Sequence, residues 1–297
     1  MKKENQRISL IPTSSLHSTQ ILFGLGIATF LFTLFSFTLL QKPSDLSPVW
    51  FPTAIMTAAF YRFNVRLWPG IALAGILGLI AATWLCSFST VALWYPLIDV
   101  LEALVGALLL RRWLVFDNPL RNLRDWTRMA IACALVPPLL GGILIGSLIP
   151  GENTLQTLLI WMVAEATGAL ALVPLGLLIN AQFFQSYRNT RQLISPLATT
   201  LITLTLSLLS ILYLPWPFTF IMVLLMWTAV RLPRIEAFLI FLITLMAVLT
   251  LTAHHPVVQH MIETTLSSYQ LNNMPGLPFL MCSLSLIHIS EPTRLAL

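Results

Sequence analysis

SPVWFPTAIMTAAFYRFNVRLWPGIALAGILG, residues 47–78, holds two apolar runs, each opened by an aromatic residue and a proline. Trp50-Phe51-Pro52 opens the first, Trp68-Pro69-Gly70 opens the second, and Arg62 and Arg66 separate them. Tryptophan suits the membrane interface, and proline suits the first turn of a helix, where its missing N–H costs nothing. Trp50, Pro52, Trp68 and Pro69 are therefore read as interfacial anchors that start two consecutive spans from opposite sides of a membrane. The composition agrees. Of 297 residues, 57% are hydrophobic and 9% charged, and mean hydropathy is +0.86. A soluble domain carries about 25% charged residues, so a soluble fold is excluded. The net charge of +5 resides in short loops between apolar runs, which reads as a topology signal and not as a nucleic-acid-binding surface.

A span needs ~20 apolar residues. On that length the chain divides into nine complete spans at 19–41, 47–63, 67–87, 90–110, 129–149, 157–180, 195–213, 214–231 and 236–253, and a truncated tenth from about 277. The expected fold class is an all-α polytopic transmembrane helix bundle, with a cytoplasmic N-terminal tail at 1–18. Lys2, Lys3 and Arg7 precede the first span. The even-numbered connections carry Arg62 and Arg66; Arg111, Arg112, Arg121, Arg124 and Arg128; Arg188 and Arg191; Arg231 and Arg234. The odd-numbered connections carry Lys42 alone. This alternation predicts a multi-pass protein of the bacterial inner membrane with its N-terminus in the cytoplasm. No cleavable leader is expected, because the basic start runs into a full-length span.

Three carboxylates interrupt the apolar runs: Asp99 and Glu102 in the fourth span and Glu165 in the sixth. Asp99 and Glu102 are three apart and share a helix face. Ionisable groups at membrane depth are costly and face an interior or a water-filled cavity, so these three are candidates for signal sensing, through a ligand, a cation or a proton. Pro137 and Pro138 are expected to break or kink the fifth span, and such breaks can line binding sites. Gly70, Ala74, Gly78 and Ala82 recur at every fourth position, a stripe that lets a second helix approach closely. Cys86, Cys133 and Cys282 stand far apart and are read as buried, inert thiols. His254, His255 and His260 lack a sharp metal spacing. No metal, no cofactor and no catalytic residue is expected.

Several stretches resemble the first type of membrane-associated sensor (MASE) domain. They are the W-F-P-T entry at Trp50, the R-x-W-P-G-I-A-L run from Arg66 and I-D-V-x-E-A-x-x-G-A-L-L-L-R-R from Ile98 to Arg112. To these add A-E-A-x-G-A-L-A-L-V-P-L-G from Ala164, P-W-P-F-T-F-I from Pro215 and W-T-A-V-R-L-P-R-I-E-A-F from Trp227. Together they cover most of residues 20–280. The resemblance implies a bacterial input module at 19–283, in contact with the lipid bilayer. It implies a small-molecule or protein signal, a possible homodimer and C-terminal output domains of the PAS and GGDEF type. It is strongest to the N-terminal region of multidomain diguanylate cyclases. As it stands the chain is then not an enzyme. The resemblance carries no binding residues with it.

The ending departs from the pattern. Leu284 to Arg294 reads, codon by codon, as the translation of the transposon-end adapter used in sequencing-library preparation, so 284–297 is expected to be an artefact. Two rival readings remain open from the residues: a small-molecule or ion transporter, and a membrane scaffold that localises a signalling enzyme.

Overall fold

The computed structural model describes residues 15–39, 47–86, 94–116, 118–148, 154–179, 190–214, 217–255, 280–282 and 284. Every element among them is helical: α1 (Ser15–Thr38), α2 (Pro52–Arg62), a 3-10 turn (Val65–Leu67), α3 (Trp68–Leu85), α4 (Tyr95–Trp113), α5 (Leu123–Ala130), a π-turn (Ile131–Leu135), α6 (Val136–Leu148), α7 (Thr154–Leu178), α8 (Thr190–Tyr213), α9 (Pro217–Arg231) and α10 (Arg234–His254).

Six helical stretches are long and apolar enough to cross a membrane: Ser18–Thr38, Val65–Leu85, Leu123–Leu148, Leu155–Leu178, Ile194–Tyr213 and Arg234–His254. This corrects the expectation of nine. The three that fall short do so for separate reasons. The eleven residues of α2 extend only ~16 Å at about 1.5 Å per residue, against a hydrocarbon core of about 30 Å. The fifteen residues of α9 reach only ~22 Å. Helix α4 is long enough, but Asp99, Glu102, Arg111 and Arg112 interrupt its apolar character. The tenth expected span and the adapter-like ending lie almost wholly outside the described residues, as do His260 and the connections at 40–46 and 256–279.

Helices α1 and α3 run parallel. Gly70 abuts Leu22, Gly26 abuts Ala74, and Gly78 faces Gly26 and Thr29. A Cβ on Gly78 would overlap the Thr29 hydroxyl and lie 2.6 Å from the Gly26 carbonyl, so glycine here permits backbone-to-backbone approach. Parallel neighbours require the intervening chain to return through the bundle. Ser47 donates to the Ser36 carbonyl at 2.9 Å, and Phe51 packs on Phe32 and Phe35. The return thus begins beside the C-terminal third of α1. Residues 47–51 cover part of it without helix and α2 covers the rest.

The two prolines do not break the fifth stretch. Helix α5 passes into α6 through one π-turn, with the Val136 N–H donating to the Ile131 carbonyl. Prolines 137 and 138 cannot donate to the preceding turn, and widening that turn absorbs the mismatch. Both prolines are buried.

Four arginines tie the basic side of the bundle together by donating to backbone carbonyls. Arg62 reaches Leu177 at 3.4 Å, Arg128 reaches Trp113 at 3.2 Å, and Arg234 reaches Leu120 at 2.7 Å. Arg111 donates to Phe60 at 2.7 Å, to Tyr61 at 3.2 Å and to Phe63, and its guanidinium stacks over Trp68 at 4.9 Å. The last carbonyls of a helix have no intrahelical donor and carry partial negative charge. Arginine side chains supply both the missing donors and the opposite charge to α2, α4 and α7. Hydrogen bonds to charged groups contribute about 1.5–3 kcal/mol each. Arg111→Ala is therefore expected to lower the thermal midpoint of the detergent-solubilised chain markedly, whereas Arg112→Ala, at an exposed position one residue on, leaves it unchanged. Equal midpoints for the two variants would contradict this assignment.

Candidate functional site

The three intramembrane carboxylates converge where the extended entry of α2 crosses α4 and α7. The Trp50 N–H donates to the Ala164 carbonyl at 3.0 Å, which satisfies a non-helical backbone group inside the bundle where water is scarce. Gly168, one turn along α7, admits this crossing: a Cβ there would overlap the Trp50 carbonyl oxygen and lie 2.6 Å from its carbon. Proline at position 52 then starts α2 at its first turn.

That crossing places two indoles and a hydroxyl on the three acids. The Trp50 Nε1–H donates to Asp99 Oδ2 at 3.2 Å. The Thr53 hydroxyl, in the first turn of α2, donates to Glu165 Oε1 at 3.0 Å. One turn along α4, the Trp161 Nε1–H donates to Glu102 Oε1 at 2.8 Å. Trp161 and Glu165 stand four apart on α7, so one helix face supplies both a donor and an acid. Tyr95 packs against the Trp161 ring at 5.8 Å between centroids. Gly141 of α6 closes the floor: a Cβ there would overlap Glu102 Oε1 and lie 2.8 Å from Trp161 Nε1.

Asp99 and Glu102 are fully buried and Glu165 is 2% exposed. None of the three makes an ion pair among the described residues, where Arg128–Asp125 at 3.5 Å is the pair recorded. Asp99 Oδ1 and Glu102 Oε2 are buried without a hydrogen-bond partner. A buried polar atom left unpartnered costs about 1–3 kcal/mol, and more when charged. The arrangement among the described residues is thus three acids, three neutral donors and two open acceptor positions, with no balancing base. Among the described residues no three His, Cys, Asp or Glu side chains are placed to hold a metal ion.

The remaining sequence candidates fall elsewhere or play other parts. Pro137 packs near Gly106, one helical turn beyond Glu102, and so borders the site through α4. Ala82 is buried, and Gly70, Ala74 and Gly78 face α1, away from the acids. Pro52 is buried and Trp50 half-buried, and the backbone and indole N–H groups of Trp50 are both engaged inside the bundle. The cause is the Gly168 crossing, which draws this segment onto α7. Trp68 donates its indole N–H to the Phe60 carbonyl at 3.0 Å, and Pro69 is exposed. Cys133 and Cys282 are buried but Cys86 is exposed, beside exposed Trp84 and Leu85 at the end of α3, a correction to the reading of all three as buried. His254 contacts the Thr250 carbonyl of its own helix at 2.9 Å, far along the chain from the acids. Sequence reading missed Trp161, Thr53, Gly141 and Gly168. A tryptophan one turn before an intramembrane acid was the available signal for the first.

The MASE1 family model matches residues 19–284. The chain belongs to the MASE1 family. It is also 52% identical, over 283 residues, to a protein of Escherichia coli (strain K12) named probable diguanylate cyclase DgcE. That alignment covers 95% of this chain and 25% of the relative, so the chain spans about a quarter of that protein's length. No solved structure matches. The chain is therefore a MASE1 membrane sensory domain related to the N-terminal region of a diguanylate cyclase, and the region matched is the sensor, not a catalytic domain. The resemblance read from the W-F-P-T, I-D-V-x-E-A and A-E-A-x-G-A stretches thus names the right family.

Proposed function

We propose that this MASE1 domain is the input module of an inner-membrane diguanylate cyclase, with Asp99, Glu102 and Glu165 as its sensing centre. The N-terminus lies in the cytoplasm, and PAS and GGDEF-type output domains follow the last span on the same side. The observation that carries the reading is the buried acid trio with two open carboxylate oxygens. A change in the trio's occupancy alters how α2, α4 and α7 pack. The arginine bonds from α4 to α2 and from α2 to α7 pass that change to the basic face, where the output domains sit. A homodimer whose geometry shifts with this packing is the simplest way to regulate a cyclase.

The test uses the full-length protein. Asp99→Asn with Glu102→Gln keeps shape and removes both titratable carboxyls. Cellular cyclic di-GMP should change by a factor in the about 5–150-fold range that coupling between sites commonly carries. Unchanged output at normal membrane levels, under every growth condition that alters the parent's output, would sink the sensory assignment of the trio.

A further inference from the structure

We infer that the trio is a proton-exchanging site, occupied by protons and not by a metal or an organic ligand. This rests on the sensory reading above only for its consequence, not for its chemistry. Two unpartnered oxygens, Asp99 Oδ1 and Glu102 Oε2, are wholly buried on one face of α4. Their carboxyl partners Oδ2 and Oε1 already accept from Trp50 and Trp161. Each carboxyl therefore has one oxygen held and one open, the state in which a carboxylic acid keeps its proton on the free oxygen.

Charge balance narrows the occupant. Helix α3 and helix α6 contain no charged residue, and the π-turn offers only Cys133. Helix α7 offers only Glu165. The charged or titratable groups of α2, Tyr61 and Arg62, lie at its far end, where Arg62 is engaged by Leu177. On α4 itself, Arg111 follows Glu102 by nine residues, ~13 Å of helix at about 1.5 Å per residue, and is engaged by α2 carbonyls. Asp125, Arg124 and Arg128 of α5, and Arg234 and Glu236 of α10, belong to the same basic end; His254 closes the opposite end of α10. Among the described residues no base faces the acids. Burying several unpaired carboxylates together is strongly unfavourable, so positive charge must enter from outside.

A proton fits where larger cations do not. Glu102 is in contact with the Gly141 backbone so closely that a single added methyl would overlap it. Among the described residues the three acids, though neighbours, are not grouped closely enough to hold a metal ion together. Uptake places one proton on Asp99 Oδ1 or Glu102 Oε2, and release returns it to water and leaves one more negative charge at the site. Ionised Asp99 and Glu102, three residues apart on one helix, repel each other in a low-dielectric interior. Asp99 holds Trp50, and Trp50 is fixed to Ala164 and wedged at Gly168, so that repulsion acts directly on the α2–α7 contact.

Infrared difference spectroscopy of the 297-residue chain in zwitterionic lipid tests this. At neutral pH the spectrum should show the carbonyl stretch of protonated carboxyls, shifted on exchange into D2O and lost on raising the pH. Asp99→Asn, Glu102→Gln and Glu165→Gln should each remove part of it, with helical circular dichroism unchanged. Replacing all alkali ions by N-methylglucamine should leave it intact. Absence of such a band in the unmodified protein, which needs no variant to fold, overturns the proposal. So does a band that appears only when alkali ions are withdrawn, because an alkali ion would then be the occupant. A clear proton band combined with cyclic di-GMP output insensitive to pH and to the variants would keep the proton site and reject the sensory reading instead.

Discussion

Gly168→Ala is expected to destabilise the chain by about 2–6 kcal/mol, from overpacking of about 1–3 kcal/mol and a buried polar group left unsatisfied at a further 1–3 or so. The added methyl meets the Trp50 carbonyl, which is backbone and cannot rotate away. Relief requires the 47–51 segment to lift from α7. That movement breaks the Trp50 N–H to Ala164 bond and withdraws the indole from Asp99. The Trp50 N–H and Asp99 Oδ2 then lose their partners at once. Gly24→Ala is the matched control: nothing lies within 4 Å of the new methyl. Replacing glycine by alanine inside a helix gains roughly 1 kcal/mol. Thermal unfolding followed by size-exclusion chromatography in detergent should rank the proteins Gly24→Ala, parent, Gly168→Ala. A Gly168→Ala variant as stable as the parent would mean that the α2 entry does not cross α7 in this way.

The second large effect is a coupling. Gly141→Ala alone should be severely destabilising, because its methyl falls on the Glu102 carboxylate and crowds Trp161 Nε1. In a Glu102→Ala background the same substitution has space to occupy, and its cost should largely vanish. Residues in direct contact show interaction energies of about 0.5–3 kcal/mol, and this pair is expected at the upper end. The sign does not depend on whether Glu102→Ala is itself stabilising. That single change removes a half-partnered buried acid, which favours the fold, and it strands the Trp161 N–H, which opposes it. Four midpoints, for the parent, both single variants and the double variant, measure the coupling. Additive costs would show that Gly141 and Glu102 are not packed against each other.

Much of this protein was legible residue by residue. Apolar runs require helices in a membrane, because each helix satisfies its own backbone groups, and every described element is helical. Asp99 and Glu102 had to share a face of α4, since three residues subtend one helical turn. The arginines between runs marked one side of the molecule, and four of them do hold carbonyls there. The family pattern also lay in the order of residues, and the match over 19–284 follows it.

What the linear order could not contain is how deep a run lies and what its side chains meet. Residues 47–63 are apolar enough for a span, yet residues 47–51 form no helix and only α2 coils, because Ala164 offers a carbonyl and Gly168 offers room. Whether a tryptophan N–H reaches an acid depends on that crossing, and that of Trp50 does. Glu165 meets Asp99 and Glu102 across 63 or more residues of chain, through packing that no local spacing encodes. Hydropathy and helical period act within a segment and so are written in it. Close approach and hydrogen-bond partnership arise between segments, and only the folded bundle decides them.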